Sequence, residues 1–243
     1  MNLKVDYITK ADGWNNGKLT PKGVMVHSTA TPGVMAQQFR DRWNRPNVGA
    51  SVHAFVDDKE VIQCLPWDKK AGHCGASANN THIAFEICEP AGFKYQGNKM
   101  VGYDVKAQQT YFSAVWCNAV ELTAYLCKEY NLDPLKDGVV ICHSEGYERG
   151  IASNHADVMH WFPKHNKDMD DFRKAVKEEM EGEDEEVKRY NTIDEVPEWA
   201  KATVQKLLNN DLLLGGDNGL GLSEDMLLSL IHISEPTRPE PIS

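Results

Sequence analysis

The chain contains no run of about 18 consecutive apolar residues, so it offers no candidate membrane span. Its opening, Met1-Asn-Leu-Lys-Val-Asp-Tyr7, has no apolar h-region, which argues against a cleaved secretory signal. Six cysteines, at 64, 74, 88, 117, 127 and 142, include no CxxC pair. Cys88 and Cys142 sit inside apolar runs, where cysteine behaves as a small hydrophobe, so synthesis in a reducing compartment is the simpler reading. Positive charge is not in excess either: the net charge is -10. Residues 1–180 hold 22 acidic and 21 basic side chains, whereas residues 181–243 hold 14 acidic and 5 basic. A nucleic-acid partner is therefore not expected.

What is present is ordinary globular material, 41% hydrophobic and 26% charged over 243 residues, enough for one large domain with or without a small second one. Residues 1–20 read as an irregular lead-in. Val24-Met-Val26 reads as a short buried strand that ends at His27. Thr31-Pro32 predicts a helix start, with Thr as N-cap and Pro in the first turn, running to about Asn44 and burying Val34, Met35, Phe39 and Trp43. Strands at 51–56 and 60–65 flank Asp57-Asp58-Lys59 as a hairpin. A Gly-, Ala- and Asn-rich loop over 66–80 precedes an apolar strand at 81–88 that carries Glu86. Between 104 and 130 Phe112, Val115, Ala119, Leu122 and Leu126 recur at steps of 3, 4, 3 and 4, one buried helix face. A strand at 139–142, a polar loop and a helix over about 169–180 follow. Strands alternating with helices, plus one hairpin, predict an α/β fold: a mixed central β-sheet flanked by helices.

Beyond this, the charge run Glu181-Gly-Glu-Asp-Glu-Glu186 reads as a solvated linker over 181–190 or, equally, as the tail of the preceding helix. Residues 191–230 read as a small helical segment with little core of its own. Trp199, Val204, Leu207 and Leu208 are its expected apolar face, and Ser223 the cap of a second short helix. Residues 231–243 hold three prolines and no periodicity, and read as an irregular tail of artefactual origin.

Four of the nine histidines fall between 143 and 165. His27 and His143 each close an apolar strand, and Asp157 lies in the loop after His143, so three candidate ligands for a divalent ion such as zinc stand at element ends. From spacing alone each histidine is equally well a partly buried polar residue. His160 is an alternative ligand, although Trp161-Phe162 beside it suggests packing, and His82 and His165 carry no functional signal.

Val24-Met-Val-His-Ser-Thr-Ala-Thr31, Asn80-Thr-His-Ile-Ala-Phe-Glu-Ile-Cys88, Cys142-His-Ser-Glu-Gly146 and Asn154-His-Ala-Asp157 together resemble the zinc N-acetylmuramoyl-L-alanine amidase family, the type found in phage endolysins and related to peptidoglycan-recognition proteins. The resemblance covers about residues 1–175, with its motifs in family order. It implies Zn2+ held by His27, His143 and Asp157, and hydrolysis of the bond between N-acetylmuramic acid and L-alanine in peptidoglycan. Some members use a Tyr as general base; here that position is Val52, which leaves Glu86, on the strand where other members carry a Glu. Burial of such a carboxylate raises its pKa toward a useful value. The family often has Lys two residues before the third ligand; here His155 stands there as the implied oxyanion stabiliser. His73, in Ala71-Gly-His-Cys-Gly75, is expected to line the substrate groove. Residues 191–230 resemble short wall-binding repeats of endolysins. The implied place of action is the bacterial wall, reached from the cytoplasm through a holin-like pore or on lysis; a wall-recycling amidase of the cytoplasm is the alternative. Two other readings are a non-catalytic peptidoglycan-recognition module and a zinc peptidase of the stem peptide.

Overall fold

In the computed structural model, residues 1–184, 189–210, 212–213, 219–223 and 226–230 are described. The expected tail over 231–243 lies outside them. The chain forms two compact units, Met1–Gly182 and Glu183–Ser243.

The first unit contains, in chain order, β1 (Leu3–Val5), β2 (Gly23–Ser28), α1 (Ala36–Trp43), β3 (Ala54–Val56), β4 (Val61–Gln63), β5 (His82–Ile87), β6 (Lys94–Gln96), β7 (Lys99–Val101), α2 (Gln109–Glu129), β8 (Val140–Cys142), α3 (His143–Glu148) and all but the last two residues of α4 (Met169–Asp184). Six strands form one sheet in the order β1-β4-β3-β5-β2-β8, and β6 pairs with β7 alone. β3 and β4 are the antiparallel hairpin; the remaining contacts in the large sheet are parallel. The sheet is therefore mixed, with helices on both faces, as the alternation of elements implies.

Side-chain alternation divides the strands between two cores. Val24, Val26, Ile83, Phe85 and Ile87 point to one face, where Phe112, Val115, Ala119, Leu122 and Leu126 of α2 cover them. All five of those α2 positions are buried, so the 3.6-residue periodicity located the helix face correctly. On the other face Phe39 of α1 stacks on Phe55 at 5.0 Å, with Trp43 edge-on at 5.0 Å. Met25, Ala84 and Ile141 continue that face toward β8. His27 and Glu86, two residues beyond Met25 and Ala84, share it.

Three local expectations change, and one hairpin is added. β1 was hidden in the lead-in because three residues give no period; it is specified by parallel pairing with β4. The first helix starts at Ala36, not at Thr31-Pro32, because Asp57 Oδ2 accepts the Ala36 N–H at 3.0 Å and so caps it from across the fold. Cys142 is followed directly by the helical turn α3, because Glu145 reaches back to the Cys142 N–H at 3.0 Å and is held by Arg173 of α4 at 3.1 Å. The β6–β7 hairpin turns at Gly97, whose φ of +58° suits glycine.

α4 continues through Asp184, so the first part of the acidic run is helical. In the second unit α5 (Glu198–Asn209) follows Pro197. Val204 and Ala200 face its small core, with Tyr190, Val196, Leu222 and Leu227, whereas Trp199 is 48% exposed and does not belong to the buried face expected of it. Ser223 does cap the next helical turn, its Oγ accepting the Met226 N–H at 3.3 Å. Among the described residues no helix is long and apolar enough to cross a membrane.

Asp57 is buried and accepts three backbone N–H groups, those of Ala36, Lys59 and Glu60. Removing an acceptor that buried donors depend on costs about 1–3 kcal/mol. Asp57→Ala is therefore expected to lower unfolding free energy by about that amount in urea denaturation; an unchanged midpoint would contradict the assignment.

Candidate metal centre

Parallel pairing of β2 with β5 and β8 fixes the site. His27 is opposite Glu86 in the β2–β5 register, and Val26 is opposite Cys142 in β2–β8, which brings His143 to the same sheet end. That end is the carboxyl end of the parallel strands, where open α/β sheets place their ligands.

There His27 Nδ1 lies 3.0 Å from Asp157 Oδ2, His143 Nδ1 lies 3.0 Å from His27 Nδ1, and His143 Nδ1 lies 3.6 Å from Asp157 Oδ2. A tetrahedral ion with bonds of about 2.0–2.1 Å spaces its ligand atoms by about 3.3 Å, so the triangle fits one. His27 and His143 are buried and Asp157 is partly so. Burial lowers the pKa of His27, against the hydrogen bond from its ring to Asp157, which raises it. Burial alone would raise that of Asp157, but the hydrogen bonds and charges of His143 and His27 hold it well below the usual carboxylate range. Two neutral imidazoles and an ionised carboxylate, each offering a lone pair to one point, are the donor set of a divalent cation. Among the described residues no other such cluster of three occurs.

The back nitrogens are also committed. His27 Nε2 is 2.9 Å from His73 Nδ1 and His143 Nε2 is 3.2 Å from Ser153 Oγ. With Nδ1 turned to the centre, each Nε2–H donates, and His73 and Ser153 accept. His73 is thus a backing group to His27, with its own backbone N–H and that of Cys74 held by Asn79 Oδ1 at 3.0 and 2.9 Å. Ser153 Oγ also lies 3.1 Å from His155 Nδ1. A hydroxyl that accepts from His143 donates onward to His155 Nδ1, and an uncharged His155 then carries its proton on Nε2. His155 is exposed, its ring 4.6 Å from that of His143. It borders a cleft of about 260 Å³ together with Asn154, Asp157, Tyr95 and His160.

Residues 17–163, more than half the chain, match the family model described as N-acetylmuramoyl-L-alanine amidase. The chain belongs to that amidase family. Among its curated relatives, N-acetylmuramoyl-L-alanine amidase CwlL of Bacillus licheniformis is 32% identical over 131 residues, 47% of this chain and 32% of the relative. BlyA of Bacillus subtilis strain 168, of the same description, is 27% identical over 173 residues, 66% of this chain and 42% of the relative. The match thus spans between about a third and two fifths of the length of these two relatives. Among solved structures, the catalytic domain of XlyA superposes with a TM-score of 0.55 at 25% identity, covering 72% of this chain and 99% of that one. The mixed sheet flanked by helices is the fold the chain shares with it.

Among the described residues, the remaining histidines of the chain have structural partners. His82 bridges Thr81 Oγ1 and the Gly138 carbonyl, and His165 bridges Tyr103 and Gln109. His53, beside buried Val52, accepts from the Ala84 N–H and donates to the Lys69 carbonyl, and burial pushes its pKa down to about 4. His160 is not in the metal cluster; it bonds to Glu89 and Tyr95. Sequence reasoning missed Ser153, Glu89 and Tyr95. For Ser153 the only signal was a hydroxyl two residues before His155; for Glu89, a second carboxylate just past the strand bearing Glu86.

Glu86 reaches the site half-buried, and its Oε2 is enclosed with no hydrogen-bond partner. Burial first, then the charges of Asp157 and Glu89, push its pKa well above the ordinary value of 4.5. In metal-free protein this contribution to stability is complete below about pH 4.5 and is lost as pH rises through the raised value. Glu86→Gln is therefore expected to raise the Tm of chelator-stripped protein at pH 8, with the difference shrinking toward pH 4.5. A difference that grows on acidification would contradict the burial argument.

Proposed function

We propose that this chain hydrolyses the amide between N-acetylmuramic acid and L-alanine in peptidoglycan, with Zn2+ held by His27, His143 and Asp157. The observation that carries the reading is the meeting of His27 Nδ1, His143 Nδ1 and Asp157 Oδ2 beside the half-buried Glu86 carboxylate, within the segment that matches the amidase family. Zinc in such a site supplies Lewis acidity toward the scissile carbonyl and toward a water.

The chain's own residues do the rest. Glu86, on the strand next to His27, takes the proton of the attacking water. Its raised affinity for that proton lets it return it to the departing alanine nitrogen. His155, held through Nδ1 by Ser153, presents Nε2–H to the carbonyl oxygen as negative charge develops there. His73 keeps the His27 ring oriented from behind. Residues 191–230 serve as a small wall-binding module, and the place of action is the bacterial wall. A recognition module that does not cut is disfavoured because such relatives lose a ligand, and all three ligands stand here.

Incubation with purified peptidoglycan, with and without chelator, tests the reading. Chelator-sensitive appearance of free muramic lactyl groups and new L-alanine amino termini in equal amounts is expected. Binding without new termini would leave a recognition module, and termini other than L-alanine a peptidase. Asp157→Ala is expected to lose bound zinc in elemental analysis along with at least 10³-fold in rate. Glu86→Gln is expected to keep zinc and lose about 10²–10⁴-fold in kcat. Ser153→Ala should keep zinc and lose about tenfold in kcat; an unchanged kcat would remove the Ser153–His155 link.

A further inference from the structure

A second polar cluster borders the same cleft and takes no part in the chemistry above. Glu89, two residues past the end of β5, is fully buried. Burying a carboxylate costs several kcal/mol unless its oxygens are satisfied. Here Tyr95 Oη lies 2.9 Å from both Glu89 oxygens, and His160 Nε2 lies 3.0 Å from Oε1 and 2.7 Å from Tyr95 Oη. The three residues come from three segments: the end of the strand that bears Glu86, the β6–β7 hairpin, and the turn that follows Asp157. They tie the hairpin to the metal centre.

Glu89 brings no hydrogen of its own, so both partners donate toward it. Tyr95 spends its one O–H on the carboxylate, and His160 spends Nε2–H. Both side chains line the cleft, and with those hydrogens spent the capacity left on them is acceptor: a lone pair on Tyr95 Oη and, in the neutral ring, Nδ1 of His160. In metal-free protein the field is negative as well. After burial, the charges of Glu89 and then Asp157 raise the proton affinity of the Tyr95 phenol. A divalent cation held by Asp157 more than offsets that residue's charge, so with zinc bound the discrimination rests on the lone pairs of Tyr95 and His160.

We propose that Tyr95 and His160, positioned by Glu89, form a subsite for the stem peptide that selects N–H donors and disfavours free carboxylate. This rests on the amidase reading and deepens it. An amidated second residue supplies a carboxamide N–H to an acceptor-only wall. A free carboxylate would set its lone pairs against those of Tyr95 and His160. Glu89 is a positioning residue, acting through the two side chains it holds.

The test compares two soluble substrates, N-acetylmuramoyl-L-alanyl-D-isoglutamine and N-acetylmuramoyl-L-alanyl-D-glutamate, with the zinc-loaded full chain. A KM about tenfold lower for the isoglutamine compound is expected, with the difference lying in KM rather than kcat. Glu89→Gln is expected to shrink that ratio to about twofold or less while bound zinc stays unchanged. Tyr95→Phe, which keeps the ring, should shrink it too and serves where the Glu89 variant fails to fold. Equal KM values, or a preference for the glutamate compound, would overturn the proposal. If neither compound is cut, the amidase reading fails; calorimetric titration of the same two compounds into metal-free protein then still reads the preference, equal affinities overturning it and tighter isoglutamine binding upholding it.

Discussion

Two imidazole nitrogens cannot sit 3.0 Å apart beside a carboxylate oxygen without a proton or a cation to reconcile their lone pairs, and the architecture around His27 and His143 is arranged to keep them there. Strand register sets the first distance. Parallel pairing makes Val26 and Cys142 neighbours, so the residues that follow them leave the sheet side by side. A slip of one residue in β2 would turn His27 to the α2 face and dismantle the centre. Burial of the surrounding apolar strands is therefore what holds the ligands, since Met25, Ala84 and Ile141 fix the face on which they emerge.

The same constraint extends outward. A ligand whose ring is free to turn binds poorly, and here each imidazole is held from behind, His27 by His73 and His143 by Ser153. Asp157 is brought in by the chain that follows α3. Ser144 N–H donates to the Asp157 carbonyl at 3.3 Å, and Glu145 ties the start of α3 to Arg173. Glu89 performs a comparable service for the far wall of the cleft, where one buried carboxylate orders a phenol and an imidazole. Two polar clusters thus stand at one sheet end, one with the donor set of a cation and one that, in the reading proposed above, meets the substrate beyond it.

Much of this was legible in the sequence, because the signals were strong and local. Strands that end in histidine gave β2 and β8, and the 3-and-4 spacing from Phe112 to Leu126 gave the face of α2. What escaped depended on contacts distant in sequence. Asp57 moved the start of α1, and Glu145 made a helix of an expected loop; neither acts through propensity. Trp199 was assigned to a buried face from its apolar character alone, and the small core of its unit is filled by Ala200 and Val204 instead. Spacing could show that His27, His143 and Asp157 each end an element. It could not show that His73 and Ser153 back the two imidazoles, or that Tyr95 joins Glu89 and His160, because a single hydroxyl, imidazole or phenol in a loop carries no periodicity.

Zinc K-edge X-ray absorption on the reconstituted chain tests the central claim most directly. The account predicts one bound zinc with nitrogen and oxygen neighbours at about 2.0–2.1 Å, two of them imidazoles, and no sulfur. A sulfur shell at about 2.3 Å would place a cysteine in the coordination sphere and contradict the assignment of Asp157 as third ligand; failure to retain zinc at all would contradict the centre itself.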